Sequence, residues 1–173
     1  AGPFPLAYNG LGEIAVFIFM GPLMVLGAYY VMAREFSWTP VIAGLPIGFM
    51  VAAILHANNV RDLDADRAVN KGTLAVKLGR HGARIEYVIL VGGAYVMVAA
   101  LILLGVMPIP TALVLVTAPE AFRLIGIIRA SEDVPLLHQA MGRTARLHGQ
   151  FGLWLVVGWG LALVTRALGI GLF

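Results

Sequence analysis

An all-α bundle of transmembrane helices is the fold class this sequence predicts, and three observations predict it. Hydrophobic residues make up 60% of the 173-residue chain and charged residues 12%, against ~45–50% and ~25% in ordinary soluble domains. The apolar residues gather into runs of about twenty, enough to cross a ~30 Å hydrocarbon layer as a helix. The Lys and Arg residues fall mainly between those runs. Backbone groups inside a bilayer have no water to bond, so each run must satisfy its own amides as a helix. We therefore expect about five spans in a single transmembrane domain, residues 1–173. Cysteine is absent, which excludes a disulfide framework and thiolate metal sites.

The opening AGPFPLAYNG reads as a loop without the charged start or small-residue cleavage site of a signal peptide. Because it begins Ala-Gly-Pro rather than with Met, the expectation is a segment of a longer polypeptide, or a product cut from one. The first span covers residues 12–32, with Glu13 at its entrance and Arg34 and Glu35 at its exit. Gly21-Pro22 falls mid-span and predicts a bend, tolerated where neighbouring helices satisfy the freed carbonyl. Tyr29 and Tyr30, near its far end, read as interface anchors. The second span, 38–57, contains GLPIG at 44–48, a Gly-x-x-x-Gly spacing that permits close helix approach.

From 61 to 86 the chain is mostly polar, although TLAVKLG at 73–79 is apolar enough to dip back toward the membrane. The third span is 87–107, closed by a tight MPIP turn. The fourth, 111–128, is interrupted by Pro119, Glu120 and Arg123. Glu120 and Arg123 stand at i, i+3 and are expected to pair, since charges at that depth usually face a bundle interior. A polar loop, 129–148, leads to the last span, 151–168, where Trp154 and Trp159 read as packing or lipid-belt residues. His81, His138 and His148 fall in polar stretches without metal-ligand spacing. Tyr8 and Asn9 belong to the opening loop, either in an ordinary turn or near a bound aromatic group.

Basic residues set the orientation. Arg61, Arg67, Lys71, Lys77, Arg80 and Arg84 lie between spans two and three; Arg129, Arg143 and Arg146 lie between spans four and five. These two connections share one side of the membrane. The other side holds Arg34 and Arg166, and Arg123 lies within a span. The positive-inside rule makes the richer side cytoplasmic, with the N-terminus on that side and the C-terminus opposite.

The most informative stretch begins where the second span ends. Asn58, Asp62 and Asp66 recur every fourth residue, a spacing that stacks side chains one helical turn above another. Such oxygen groups repel one another unless a cation lies between them. Hard oxygen ligands suit Mg²⁺, which commonly takes one or two carboxylates plus substrate phosphates. The alternative is a solvated helix end whose acids, Asp64 included, pair with Arg61, Arg67 and Lys71. Carboxylates, Arg and Lys at the mouth of an apolar bundle suit an amphiphile with an anionic diphosphate head and an isoprenoid tail. Gly-rich nucleotide loops are absent, so a nucleotide fold has no support. Nor is there a nucleic-acid signature, because the basic residues sit between spans.

NNVRDLDADRAVNKGTLAVKLGR, residues 58–80, resembles the second Asp-rich motif of the UbiA superfamily of intramembrane prenyltransferases. It is most similar to NNxRDxxxDxxxGKxTLAVxLG of the menaquinone branch, the 1,4-dihydroxy-2-naphthoate polyprenyltransferases. GPFPLAYNGLGE at 2–13 and the run through GAYY at 27–30 look like the same branch. The resemblance covers the whole chain as the family's C-terminal portion.

It implies a helical bundle with a central cavity and a polar cap over a cytoplasmic mouth, in a bacterial cell membrane. It also implies Mg²⁺-dependent transfer of a polyprenyl group from its diphosphate to a ring carbon of dihydroxynaphthoate, with loss of CO₂. Carried over, Asp62 and Asp66 are the catalytic metal–diphosphate aspartates, and Asp64 is a lesser metal ligand at a variable position. Asn58, Asn59, Arg61 and Lys71 are the diphosphate contacts. Asn70 stands where the pattern has Gly, which leaves the aim of Lys71 open. The family's first Asp-rich motif, NDxxDxxxD, has no counterpart in this chain. The expected partner is therefore the N-terminal helices of the same enzyme, without which the polypeptide is expected to be inactive. Two rival readings are another aromatic prenyltransferase of the superfamily and a polytopic cation-binding or transport subunit.

Overall fold

The computed structural model describes residues 5–169. The first four residues of the opening loop and the last four of the chain lie outside the described residues. After a 3₁₀ turn, Leu6–Asn9, come α1 (Gly12–Met20), α2 (Pro22–Ala33), α3 (Trp38–Ala43), α4 (Leu45–Arg61) and α5 (Leu63–Ala68). Then follow α6 (Leu74–Leu103), a 3₁₀ segment (Ile109–Thr117), α7 (Ala118–Ala130) and α8 (Val134–Ala167). Among the described residues there are no strands, and five helical stretches are long and apolar enough to cross a membrane. The chain is an integral membrane protein of helices, as composition predicts.

The bend expected at Gly21-Pro22 divides the first span into α1 and α2. Gly21 takes φ −109° and ψ −101°, and Pro22 opens α2 at a position needing no intrahelical amide donor. The same residue lets α4 come close: a methyl group on Gly21 would lie 2.5 Å from the Cα of Gly48. Gly44 and Gly48 are therefore both contact points, and Phe17 stacks edge-on against Phe49 beside them at 4.9 Å.

α4 is the middle of the bundle and packs against α1, α6 and α8. Small residues make this possible: Ala52, Ala53 and Ala57 are fully buried with Met50, which brings backbones together where packing rather than water drives association.

Three boundaries differ from expectation. The polar stretch after the second span becomes helical at Leu74, where the hydroxyl of Thr73 accepts from the Val76 amide. That helix kinks at Gly79, whose φ of 69° and ψ of 172° belong to a region essentially reserved for glycine.

The fourth span begins earlier than expected, at Ile109, and its interruption does fall at Pro119. That residue sits in the first turn of α7, after a first half wound as 3₁₀ helix.

The loop expected over 129–148 is mostly helix, because α8 starts at Val134. Asp133 caps it by accepting from the Leu136 amide at 3.0 Å, and Pro135 occupies its first turn. At 34 residues and ~1.5 Å per residue, α8 is roughly 51 Å long, so it projects well beyond a ~30 Å hydrocarbon layer. His81 lies on α6, and His138 and His148 lie on α8, rather than in loops.

Candidate functional site

The acidic motif sits where α4 gives way to α5. The Asp62 amide bonds the Asn58 carbonyl at 3.1 Å, and the Asp66 amide bonds the Asp62 carbonyl at 2.7 Å. The i→i−4 ladder thus continues across the junction and carries Asn58, Asp62 and Asp66 on successive turns. Each aspartate has its own cation. Arg61 forks onto Asp62, with Nε donating to Oδ1 at 2.7 Å and Nη2 to Oδ2 at 2.5 Å. Nη2 also donates to Asn58 Oδ1 at 2.9 Å. Lys71 Nζ donates to both oxygens of Asp66 at 3.1 Å. Asp66 is nearly buried, whereas Asp62 is about a third exposed. The Arg61 hydrogen bond holds the Asp62 carboxyl below its usual range; partial burial opposes this, and Lys71 and His138 add to it.

Asn70 settles the aim of Lys71. Its φ of 55° is left-handed, a conformation for which Gly is the default and Asn the common substitute. The turn that follows brings Lys71 back over Asp66, with the Lys71 amide on the Asp66 carbonyl at 2.9 Å. Lys77 reaches the opening loop and donates to the Asn9 carbonyl at 2.6 Å. The loop before the first span and the stretch after the second therefore meet, as the five-span parity requires. Tyr29, near the far end of the first span, donates to Glu35 at 2.6 Å.

Other residues of the motif stand elsewhere. Asp64 is exposed and bound to Arg80 at 2.5 Å, with Arg67 at 3.8 Å. Arg80 and Arg84 continue this surface network to Glu132. Asn59 is buried, and its side-chain amide donates to Glu13 Oε1 at 2.8 Å rather than joining Asn58 at the mouth.

The expected Glu120–Arg123 pair is present, and a stronger one joins it. Arg143 of α8 forks onto Glu120 at 2.8 and 2.9 Å, while Arg123, largely exposed, approaches only to 3.9 Å. A bidentate guanidinium fork outcompetes a single-point contact on the same helix.

Two groupings escaped the sequence reading. His138, with Met141, comes from α8 to meet Arg61 Nη1, with His138 Nδ1 at 3.0 Å. Recognising it required seeing the Asp133–Pro135 helix start, which makes 134–148 a helix able to reach across the mouth. The second is a buried group of Glu13, His56, Asn59 and Glu86, drawn from α1, α4 and α6. The available signal was an acid in the first turn of an apolar run, which membrane interiors rarely tolerate unpaired.

As a metal site, the mouth has a suitable donor set: two carboxylates on successive turns and the Asn58 amide oxygen, all hard oxygen ligands. Its two cations, Arg61 and Lys71, sit on those same oxygens, the pairing expected of the alternative, a helix end whose acids are matched by bases.

Residues 3–136 match the model of the UbiA prenyltransferase family. The chain is 36% identical over 175 residues to the 1,4-dihydroxy-2-naphthoate octaprenyltransferase of Mycobacterium tuberculosis, covering 98% of this chain and 54% of that protein. It is 30% identical over 145 residues to the Escherichia coli protein of the same name, covering 84% of this chain and 47% of the relative. It is 31% identical over 157 residues to the Drosophila melanogaster UbiA prenyltransferase domain-containing protein 1 homolog, covering 90% and 42%. The chain thus spans about half the length of the curated relatives it matches. With the family model matching most of its length and a motif whose spacing the fold preserves, the chain belongs to the UbiA prenyltransferase family.

Proposed function

We propose that this chain carries one half of the diphosphate-binding mouth of an enzyme that transfers a polyprenyl group to 1,4-dihydroxy-2-naphthoate in menaquinone synthesis. The observation that carries the proposal is the unbroken backbone ladder that sets Asn58, Asp62 and Asp66 on successive turns at the end of α4, with Arg61 and Lys71 beside them. Prenyltransferases of this family generally use a divalent metal, and Mg²⁺ is the ion that these oxygen donors suit. When bound, it would neutralise the charge of the departing diphosphate.

The chain's own residues do the rest. Asp62 and Asp66 would hold the metal ion at the head group. Arg61 and Lys71, released from the carboxylates, take phosphate oxygens, with Asn58 fixing the orientation of Arg61. In the transfer the allylic C–O bond breaks and its electron pair leaves with the diphosphate. The acceptor ring carbon supplies the pair that forms the new C–C bond, and the ring carboxyl departs as CO₂. Apolar helix faces exclude water that would otherwise capture the allylic cation.

The mouth faces the cytoplasm of a bacterial cell membrane in this reading, because Arg61 to Arg84 and Arg129 to Arg146 lie on its side. A diphosphate must be held from two sides, so the complementary carboxylates come from further helices of the same enzyme, and this chain alone is inactive. The test is product analysis by mass spectrometry with the enzyme purified from its membrane, together with any chain to which it is joined. Polyprenyl diphosphate, Mg²⁺ and an equimolar mixture of dihydroxynaphthoate and 4-hydroxybenzoate are supplied. The prediction is a demethylmenaquinone-type product that disappears on chelation; prenylated hydroxybenzoate as the main product would contradict it.

A further inference from the structure

The group of Glu13, His56 and Glu86 beneath the mouth needs either a shared proton or a bound cation to close its charge balance. His56 is fully buried, and its Nε2 lies 2.8 Å from the Ala83 carbonyl. A carbonyl only accepts, so Nε2 carries a proton and Nδ1 is the nitrogen left to face the group. Around Nδ1 stand Glu13 Oε1 at 3.1 Å and Glu86 Oε2 at 3.4 Å. All three atoms lie within 4.8 Å of one another. Asn59 donates one N–H to Glu13, but the buried Glu86 Oε2 has no hydrogen-bond partner. With a neutral imidazole, three lone pairs converge without a cation. With an imidazolium, the single Nδ1 proton serves Glu13 and leaves Glu86, partly buried, with its Oε2 unmatched, which is costly.

We propose that Glu13, His56 and Glu86 form a second divalent-metal site, of the Zn²⁺ or Mn²⁺ class, distinct from the aspartate mouth. Two glutamates and a divalent ion balance in charge. The two separations at Nδ1 match the edge of a tetrahedron with ~2.0–2.1 Å metal–ligand bonds, about 3.3 Å. Outer contacts of the usual kind are also in place: His56 is oriented by a backbone carbonyl through its far nitrogen, and Glu13 is oriented by Asn59.

The three ligands come from α1, α4 and α6, so the ion would tie the first span to the centre of the bundle. Glu13 and Glu86 also line a groove of about 370 Å³ with Ile14, Phe17, Phe49 and Leu90. A fourth coordination position would face that groove, open to water or to an oxygen-bearing ligand.

The test does not depend on prenyl transfer. The protein, purified in detergent with any chain to which it is joined, is equilibrated with Zn²⁺ or Co²⁺, desalted, and measured by elemental analysis and visible absorption. The Asp62→Asn/Asp66→Asn background removes the mouth as a competing site and is expected to retain about one equivalent of metal, with the absorption of Co²⁺ bound to three protein ligands. In that background Glu86→Gln, near-isosteric and checked for helicity by circular dichroism, is expected to lose it. Asn59→Ala is expected to weaken affinity ~10–100-fold, as loss of a ligand-orienting contact does. The proposal is overturned if the background binds no metal, or if folded Glu86→Gln binds it equally well; a shared proton would then balance the group.

Discussion

Lys71 and Asp66 show how much a single side chain sets at the mouth. Asp66 is buried, and the cation hydrogen-bonded to it, Lys71, has a quarter of its side chain exposed. Lys71→Met should therefore destabilise the protein by roughly 1–3 kcal/mol, less than the ~3–5 kcal/mol of a fully enclosed pair. Adding Asp66→Asn should recover most of that loss, as thermal denaturation in detergent will show. The Arg61–Asp62 pair makes a different prediction, in pH. The folded protein holds Asp62 below its usual carboxylate range, so ionised Asp62 favours folding. That contribution is complete above the ordinary Asp value of ~3.9 and is lost as pH falls through the depressed one. The gap in thermal midpoint between the parent and Asp62→Asn should hold steady from neutrality down to about pH 4, then close. Sequence spacing revealed these two acids because a four-residue repeat survives as successive turns even where α4 yields to α5. It also offered Arg61 and Lys71 as their partners, which the fold bears out; His138 was not legible, because it reaches Arg61 only through tertiary packing.

Helix boundaries were legible wherever a local signal controlled them. Gly21-Pro22 broke the first span as expected, and the Gly44–Gly48 spacing became the close contact with Gly21. Where hydropathy alone drew the boundary, it fell short. A helix leaving the bilayer keeps its hydrogen bonds but no longer needs apolar residues, so α8 runs through Arg143, Arg146 and His148. Its buried seam of Leu137, Ala140, Thr144, Leu147 and Phe151 has the three-and-four spacing of a packed helix, a signal that polarity masks. Gly79 is the element-scale device that aims α6. Gly79→Ala should cost about 1–3 kcal/mol, since its backbone lies where only glycine is comfortable. It should also detach Arg80 from Asp64 and Arg84 from Glu132, raising amide hydrogen exchange in the first turns of α6.

For the whole molecule, composition settled the class, basic-residue placement supplies the proposal for the sides, and the Glu13–His56–Glu86 group required the fold to bring three helices together. The absence of cysteine makes the orientation directly testable. An impermeant thiol reagent outside intact cells should label Phe36→Cys and spare Asp64→Cys, both exposed positions, with the reverse in inverted vesicles. The central claim is that Asp62 and Asp66 together anchor the diphosphate, and the most direct measurement is prenyl transfer by the intact enzyme carrying Asp62→Asn or Asp66→Asn. Each should lower the rate about 10²-fold or more at saturating Mg²⁺, the scale of losing one preorganised electrostatic contact, without loss of folded protein. Folded variants transferring the prenyl group at near-parental rates would contradict the account.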